Sequence, residues 1–279
     1  MKTILLTGAS GFIGRNLLPL LRETYDVFAP SRQELDLLDA DAVRRYLQKG
    51  QFDAVIHLAG PTGHNPQDSQ NELFERSLRV FSSLEHCSGL YGKMIYLGSG
   101  AEYGKHRPIS MISEEEFGNE LPRDAYGLSR FLMSRLGEKR NNIVNLRLFA
   151  CCGPGDMPHK LIPSIITCIK EKKNIELRQD VWFDYIFVKD ILPVLQHLIE
   201  YPAKFKAYNL CSGERIKISS IAEEIKRQMG LNSGIIFQKD GLNLEYTGSN
   251  LRLRSELPHW KLHSINFAVS EILNKEALN

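Results

Sequence analysis

An apolar run followed by three regularly spaced glycines opens the chain and constrains its fold more than any other stretch. Residues 4–6 are apolar, Gly8, Gly11 and Gly14 follow, and leucines then recur at helical spacing. This order predicts a buried strand, a tight turn and a helix, the beginning of a βαβ unit. Glycines there allow the bend, the approach of a pyrophosphate and close helix–strand packing, while the helix N-terminus offers free N–H groups. The stretch predicts dinucleotide binding; a turn that binds nothing leaves the glycine spacing unexplained.

Strands and helices alternate along the first half of the chain. Strands are expected at 4–7, 26–30, 34–39, 52–60, 94–97 and 143–149. Such alternation predicts an α/β protein with a doubly wound parallel sheet of Rossmann type, which binds ligands at the carboxyl ends of its strands. The alternation of strands and helices becomes less regular after residue 150. We therefore expect an NADP-binding domain over 1–150 and a smaller α/β substrate lobe over 151–279, with about 175–210 returning to the first domain.

His57 lies in an apolar strand and is expected to be a core histidine whose hydrogen bonds are satisfied.

The end of the second strand decides which nicotinamide cofactor fits. Ser31 and Arg32 stand where a carboxylate would bind a ribose 2′-hydroxyl and repel a 2′-phosphate. Because a guanidinium suits a phosphate, NADP(H) is predicted over NAD(H). The alternative remains that Arg32 is solvated and Ser31 only caps the next helix. Asp36 lies where a loop carboxylate could bind an adenine amino group.

Three further residues are predicted to meet at the carboxyl edge of the sheet. Ser99 follows the strand at 94–97, while Tyr126 and Arg130 are four residues apart at the start of a helix and share one face. A phenol ionises near pH ~10 and needs a neighbouring cation to work near neutrality. Serine, tyrosine and a cation around a carbonyl form a proton-donating site for hydride transfer. On this segment alone, Tyr126 as a half-buried packing residue is the simpler interpretation.

Composition excludes several classes of partner. A net charge of +2, with acidic and basic residues interspersed, favours neither nucleic acid nor a membrane surface. We find neither a signal peptide nor an apolar run of membrane-spanning length, which predicts a cytoplasmic protein. The five cysteines are scattered without C-x-x-C spacing, and adjacent Cys151 and Cys152 suit a mutual disulfide poorly. Reduced thiols and no metal site are expected.

Motifs along almost the whole chain resemble the extended branch of the short-chain dehydrogenase/reductase superfamily. This branch comprises NAD(P)-dependent nucleotide-sugar epimerases, dehydratases and ketoreductases. The motifs lie at 7–14, 57–60, 98–104, 124–130, 147–154, 184–190 and 208–214. Residues 31–39 are most similar to GDP-fucose synthases, which are NADPH-using ketoreductases, and less similar to dTDP-4-dehydrorhamnose reductases. The resemblance implies a nucleotide-diphosphate sugar as substrate.

By position, the resemblance implies specific roles. Tyr126 would be the catalytic acid/base, Ser99 would orient the keto oxygen, and Arg130 would hold the nicotinamide ribose. The implied cofactor contacts are Gly8, Ser10, Gly11, Phe12, Ile13, Gly14, Ser31, Arg32, Asp36, Leu37, Leu58, Ala59, Gly60, Tyr126 and Arg130. The implied substrate contacts are Pro61, Ala101, His159, Lys160 and Arg178.

Two departures from the family pattern bear on the reaction. Arg130 stands where the family has lysine; arginine keeps the charge but is planar and bulkier, so the exchange is not conservative at a tight site. Gly100 and Ala101 stand where 4,6-dehydratases carry an Asp–Glu pair for eliminating water. Dehydration is therefore not expected.

Other departures bear on substrate binding. Ala150 replaces an asparagine that precedes the Gly-Pro turn, and Phe183 replaces an arginine. A diphosphate contact is therefore expected elsewhere, with Arg178 as the candidate. Lys160, with His159 beside it, matches a histidine that acts near the substrate in fucose synthases.

Together these features predict an NADPH-dependent reductase of a nucleotide-diphosphate 4-keto-6-deoxyhexose. One alternative is an NAD(P)-dependent nucleotide-sugar epimerase, and another is a non-catalytic NADP-binding protein of the same fold. The family resemblance also implies a homodimer formed through the helices after Ser69 and Tyr126, where Leu128, Phe131 and Leu136 supply apolar surface.

Overall fold

The computed structural model describes residues 1–61, 69–231 and 233–277. The strands are β1 (Thr3–Thr7), β2 (Asp26–Phe28), β3 (Ala54–His57), β4 (Lys93–Ser99), β5 (Ile109–Ile112), β6 (Ile143–Leu148), β7 (Ala150–Cys152), β8 (Ile175–Leu177), β9 (Trp182–Phe183), β10 (Tyr185–Phe187), β11 (Ala207–Leu210), β12 (Ile216–Lys217), β13 (Ile235–Phe237) and β14 (Tyr246–Gly248). The helices are α1 (Phe12–Arg22), α2 (Ala40–Gly50), α3 (Gln70–Glu85), α4 (Ala125–Gly137), α5 (Leu161–Lys170), α6 (Ile191–Glu200), α7 (Ile218–Met229), α8 (Leu251–Glu256) and α9 (Ile265–Ala277). Within these ranges, every helix is too short or too polar to cross a bilayer.

A six-stranded parallel sheet forms the centre of the molecule, in the order β11-β6-β4-β3-β1-β2. Side chains alternate between its faces, so Ile4 and Leu6 pack against α1 and α6, while Leu5 packs on the opposite side. That opposite side is covered by α2, α3 and α4, through residues such as Val43 and Phe81. Helices cover both faces, which confirms the doubly wound Rossmann-type prediction.

The short strand expected at 34–39 does not form, and that prediction was wrong. This stretch consists of successive turns, in which the Glu34 and Leu35 amides both donate to the Ser31 carbonyl. Asp36 accepts from the Leu38 amide at 3.0 Å, and Asp39 caps α2 by accepting from two amides. Because aspartate side chains satisfy the local backbone, the segment has no need of a strand partner. The sixth strand of the sheet is instead β11.

A smaller unit packs beside the carboxyl edge of the large sheet. Its core joins α5, α7 and α9 to the β8–β13 pair and to Phe187 and Val188. A four-stranded sheet, β12-β9-β14-β5, lies next to it, and β5 comes from the first half of the chain. Within residues 175–210, α6 and β11 pack on or join the large sheet, whereas β8 pairs with β13 outside that sheet.

The apolar run at 182–188, which reads as one strand, is two. Asp184 interrupts it because its buried carboxylate accepts from the Ser212 amide at 2.7 Å, the Ser212 hydroxyl at 2.8 Å and the Gly213 amide at 2.9 Å. Burial raises the Asp184 pKa to about 6, and these hydrogen bonds oppose that rise. The residues before Asp184 join the four-stranded sheet, and those after it pair with β7.

Candidate active site

A cleft of about 1510 Å³ follows the carboxyl ends of β1, β2, β3, β4 and β6 and reaches the smaller unit. We call the part lined by residues 8–14 and 29–38 the glycine end, and the part lined by Ser99, Tyr126, Arg130, Lys160 and Tyr246 the catalytic end. The predicted site residues that line the cleft are Gly8, Ser10, Gly11, Phe12, Ile13, Gly14, Ser31, Arg32, Asp36, Leu37, Leu58, Ala59, Gly60, Pro61, Ala101, Ser99, Tyr126, Arg130 and Lys160. His159 and Arg178 are exposed and are absent from this lining, and their substrate role stays a prediction.

The turn at the glycine end can form only because two of its residues have no side chain. Gly8 has a φ of +77°, and a β-carbon there would lie 2.6 Å from the Ala59 amide nitrogen. A β-carbon on Gly14 would collide with the Gly8 carbonyl oxygen. The turn closes through a 3.0 Å hydrogen bond from the Gly11 amide to that oxygen, and Gly11 caps α1 without a side-chain hydrogen bond. The first N–H groups of α1 therefore face the cleft without a side-chain acceptor from the cap, as phosphate binding requires.

Two residues of opposite charge, Arg32 and Asp36, lie at the far side of the glycine end. Arg32 is largely exposed, with 69% of its side chain accessible, and its Nε lies 3.9 Å from Asp36 Oδ1. Ser31 and Glu34 form reciprocal hydrogen bonds, the Ser31 amide donating to Glu34 at 2.7 Å. Hydrogen bonds from Ser31 lower the pKa of Glu34, which also lines the cleft. Ser31 thus shapes a turn, while the Arg32 guanidinium is accessible to a ligand.

Ser99 ends β4 at the catalytic end and is 6% exposed. Its hydroxyl accepts from the Ala101 amide at 3.1 Å, and its own amide donates to Glu102 Oε1 at 2.9 Å. These bonds form a capping box that starts the short 3₁₀ turn after β4. Local hydrogen bonding therefore holds Ser99 at the strand end, facing the cleft.

Tyr126 and Arg130 lie one turn apart on α4, which Asp124 caps by accepting from the Gly127 amide at 2.8 Å. The Arg130 guanidinium carbon is 5.1 Å from the Tyr126 ring centroid. Arg130 is 7% exposed and donates to the Pro61 carbonyl at 2.7 Å. Among the described residues its Nε has no hydrogen-bond partner. The guanidinium is thus held by the Pro61 carbonyl, and its Nε is buried without a partner among the described residues.

Lys105 brings a second cation to the same ring, which the sequence did not signal. Its Nζ lies 5.6 Å from the Tyr126 centroid, and its side chain lines the cleft. Lysine follows the 98–104 motif directly in sequence, but only the path of the chain after β4 brings it to Tyr126. The phenol is therefore flanked by two positive charges.

A buried ion pair stabilises the turn that carries Ser99, and this pair was also not predicted from the sequence. Arg147 Nε donates to Glu102 Oε2 at 2.8 Å, with the two side chains 1% and 0% exposed. Asn145 donates to both Glu102 oxygens, and the Ser134 hydroxyl accepts from Arg147 at 3.1 Å. Since Glu102 also binds the Ser99 amide, the pair anchors the turn that carries Ser99. The signal that could have revealed the pair is Glu102, a charged residue in a motif at the end of a buried strand.

His57 is a core residue, but it is only half satisfied. Its Nδ1 lies 2.8 Å from Thr7 Oγ1, whereas its Nε2 has no partner among the described residues. Burial, assisted by the charge of Arg130, lowers the His57 pKa to about 3. The imidazole is therefore neutral at physiological pH.

The side of the catalytic end that faces the smaller unit is largely aromatic. Phe183 lines it where the family pattern has arginine, and Tyr185 and Tyr246 stand beside it. Lys160, at the start of α5, is the cation that this unit contributes to the lining. Within the described ranges no cluster of three metal-ligating side chains occurs, and all five cysteines are free thiols.

These features define a Rossmann-type α/β protein with a ligand cleft at the carboxyl edge of its sheet. The chain belongs to the NAD dependent epimerase/dehydratase family, whose model matches residues 4–211. The family resemblance drawn from the motifs is thereby confirmed.

Characterised relatives share most of the length of the chain. It is 27% identical over 241 residues to the GDP-6-deoxy-D-mannose reductase of Pseudomonas aeruginosa, covering 80% of this chain and 78% of that one. It is 27% identical over 257 residues to the ADP-L-glycero-D-manno-heptose-6-epimerase of Cupriavidus pinatubonensis, covering 79% and 76%. The structure of RMD from Pseudomonas aeruginosa complexed with NADPH superposes with a TM-score of 0.84 at 24% identity, covering 98% and 99%. The chain is therefore similar both to a reductase and to an epimerase of nucleotide sugars.

Proposed function

We propose that this protein is an NADPH-dependent reductase of a nucleotide-diphosphate 4-keto-6-deoxyhexose. The observation that carries the proposal is the convergence of Ser99, Tyr126 and Arg130 at one end of a cleft whose other end is the glycine turn. At about 1510 Å³ the cleft exceeds the roughly 300–1,000 Å³ of an ordinary small-molecule pocket, which suits a dinucleotide together with a nucleotide sugar. The reductase named among the relatives supports the same substrate class.

The residues present fit a dinucleotide. The backbone at Gly8 and Gly14 leaves a cradle that β-carbons would fill, and the start of α1 offers N–H groups to a pyrophosphate. At the far side, Arg32 suits a 2′-phosphate, which favours NADP(H) over NAD(H). When bound, the nicotinamide supplies the hydride. Arg130 would hold the adjoining ribose.

In the proposed reduction, the side chains of the catalytic end manage the oxygen of the sugar carbonyl. Ser99 donates a hydrogen bond to this oxygen and stabilises the charge that grows on it as the carbon receives hydride. Tyr126 then gives its phenolic proton to the nascent alkoxide and completes the hydroxyl. Arg130 stabilises the phenolate that remains until solvent returns the proton. Gly100 and Ala101 supply no acid, so the same site does not eliminate water.

A specific observation favours each alternative. The heptose epimerase among the relatives supports an epimerase, in which the cofactor is regenerated within each cycle. The bond from Arg130 to the Pro61 carbonyl supports a non-catalytic protein, because it occupies a cation expected at the cofactor. An exchangeable NADPH, implied by Arg32, favours net reduction over epimerisation.

Cofactor titration followed by turnover tests the proposal. Purified protein is titrated with NADPH and NADH by fluorescence, then given a panel of nucleotide 4-keto-6-deoxy sugars, with the matching 4-hydroxy sugars as controls. We expect tighter binding of NADPH and its oxidation only with keto-sugars. Product analysis showing an inverted centre without net oxidation would identify an epimerase. Cofactor binding without turnover or product would favour the non-catalytic alternative, and failure to bind either cofactor would refute the proposal.

A homodimer through α3 and α4 is part of the proposal. The two helices pack together, and Leu128 and Leu136 are only half-buried. Phe131 does not contribute, because it is 6% exposed and packs 4.9 Å from Phe117. Sedimentation of the wild type and of Leu128→Glu tests it: we expect a dimer that the charge disrupts, and a wild-type monomer would contradict the expectation.

A further inference from the structure

Tyr246 is a hydroxyl at the catalytic end that the proposed reduction does not use. It stands on β14 of the four-stranded sheet, opposite Ile109 of β5 and Phe183 of β9. Its ring centroid lies 5.1 Å from that of Phe149 and 5.2 Å from that of Phe183. Strand pairing and two aromatic neighbours fix the ring, so its hydroxyl has a defined direction.

Gly100 provides the space for this hydroxyl. A β-carbon at residue 100 would lie 2.6 Å from the Tyr246 phenolic oxygen and 2.9 Å from two ring carbons of Phe149. Side chains do not approach so closely in a packed interior, so another residue there would displace Tyr246. The glycine that removes a dehydratase acid thus also admits a tyrosine hydroxyl beside Ser99.

The Tyr246 hydroxyl lies beside Ser99, because it is close to the position that a β-carbon of Gly100, the next residue, would take. Burial raises the Tyr246 pKa, and the neighbouring Ser99 side chain opposes that rise only in part, so the phenol is protonated at neutral pH. The Ser99 hydroxyl already accepts from the Ala101 amide at 3.1 Å. A serine hydroxyl has two acceptor lone pairs and one proton. If the Tyr246 O–H donates to the second lone pair, the Ser99 proton is left for the cleft.

We propose that Tyr246 is a positioning residue that donates to Ser99 and thereby commits the Ser99 proton to the keto oxygen of the substrate. The assignment rests on the proposed function, since it requires a carbonyl at Ser99. Charge grows on the keto oxygen during hydride transfer, so polarisation of Ser99 by a second hydroxyl helps most in the transition state. Tyr246 therefore acts on kcat rather than on KM.

Tyr246→Phe tests this role because it removes the hydroxyl and keeps the ring. We expect kcat to fall about tenfold and KM to change less than about twofold, as for the loss of one hydrogen bond. In a Ser99→Ala background the same change should cost nothing further, since Tyr246 acts through Ser99. Tyr91→Phe is the matched control. Tyr91 is buried outside the cleft lining, its hydroxyl donates to the Leu84 carbonyl at 2.9 Å, and its loss should leave kcat unchanged.

Two kinetic outcomes would overturn the assignment. Additive losses in the double variant would mean that Tyr246 does not act through Ser99. A rise in kcat for Tyr246→Phe would mean that Ser99 donates to Tyr246, because removing the acceptor would then release the Ser99 proton.

A spectroscopic readout separates this assignment from the proposed reductase activity. The infrared stretch of an isotope-labelled 4-keto sugar is recorded bound with NADP⁺, a complex that cannot reduce it. We expect a higher frequency in Tyr246→Phe than in the wild type, and no such difference between the same pair in the Ser99→Ala background. If the wild type binds the keto-sugar without ever reducing it, the reductase proposal fails while the stretch still decides the role of Tyr246. An unchanged stretch in Tyr246→Phe overturns the assignment, whatever the turnover.

Discussion

The two ends of the cleft are built by different means. At the glycine end the chain offers backbone N–H groups, and its requirement is that Gly8 and Gly14 carry no side chains. At the catalytic end, side chains from β4, α4, α5 and β14 must converge. Backbone recognition depends on one short stretch, whereas side-chain recognition depends on several distant ones. Accordingly, the first end keeps the family pattern, and the second departs from it at Arg130 and Phe183.

The largest expected effect separates chemistry from binding. Tyr126→Phe should lower kcat about a thousandfold, roughly 4 kcal/mol of barrier, because the proton donor is lost. The affinity for NADPH should change less than about threefold, because the glycine end remains intact. Steady-state kinetics and fluorescence titration measure the two quantities. A variant that retains most of its kcat would remove Tyr126 from the mechanism.

At the other end, Gly8→Ala should damage the backbone site itself. A φ of +77° is strained for alanine, and the new β-carbon would press on the Ala59 backbone. We expect the free energy of unfolding to fall by about 3 kcal/mol and NADPH binding to weaken severely. Urea denaturation and titration measure this. Gly89→Ala is the control, since a β-carbon at Gly89 meets no atom within 4 Å, and equal losses in both variants would contradict the explanation.

Substitutions of Arg130 test whether the catalytic end works with an arginine where the family has a lysine. Arg130→Met should lower kcat about thirtyfold, because the cation beside Tyr126 is lost. Arg130→Lys should stay within about fivefold of the wild type, because it keeps the charge but loses the planar fork that reaches Pro61. A gain of more than about tenfold in Arg130→Lys would instead identify arginine as a loss of function. Initial rates at saturating substrate distinguish these outcomes.

The smallest expected effect concerns cofactor choice. Arg32→Ala should weaken NADPH binding about tenfold and leave NADH binding unchanged, since one charge-assisted contact to a 2′-phosphate is lost. Arg79→Ala is the control, because Arg79 is an exposed arginine outside the cleft lining that pairs with Glu75. Equal affinities for NADPH in the wild type and Arg32→Ala would mean that Arg32 is merely solvated.

The sequence predicted best what short stretches determine. The glycine turn, the parallel sheet and the placement of Ser99 and Tyr126 at one edge all follow from local periodicity and from the geometry of parallel strands. The strand expected at 34–39 was wrong for a local reason as well. There, aspartate side chains bind the nearby backbone and outweigh the apolar pattern.

What the sequence could not predict depends on distant segments. Tyr246 lies 147 residues after Ser99 in the numbering, and only the pairing of β14 with β5 and β9 brings it to the cleft. Arg178 was expected to replace the arginine that is missing at residue 183; it follows β8, which pairs with β13, and it lies outside the cleft lining. Motif spacing carries no information on such pairings.

The exchange of strands between the two units limits how enzymes of this kind can be recombined. In a chimera that keeps residues 1–150 of this chain and takes the rest from another protein, β5 loses its native partner β14. The large sheet likewise loses its native β11. A smaller unit taken from another protein would have to bring its own version of residues 109–112 and leave the recipient its α6 and β11. The smaller unit is therefore not transferable as one contiguous block of chain.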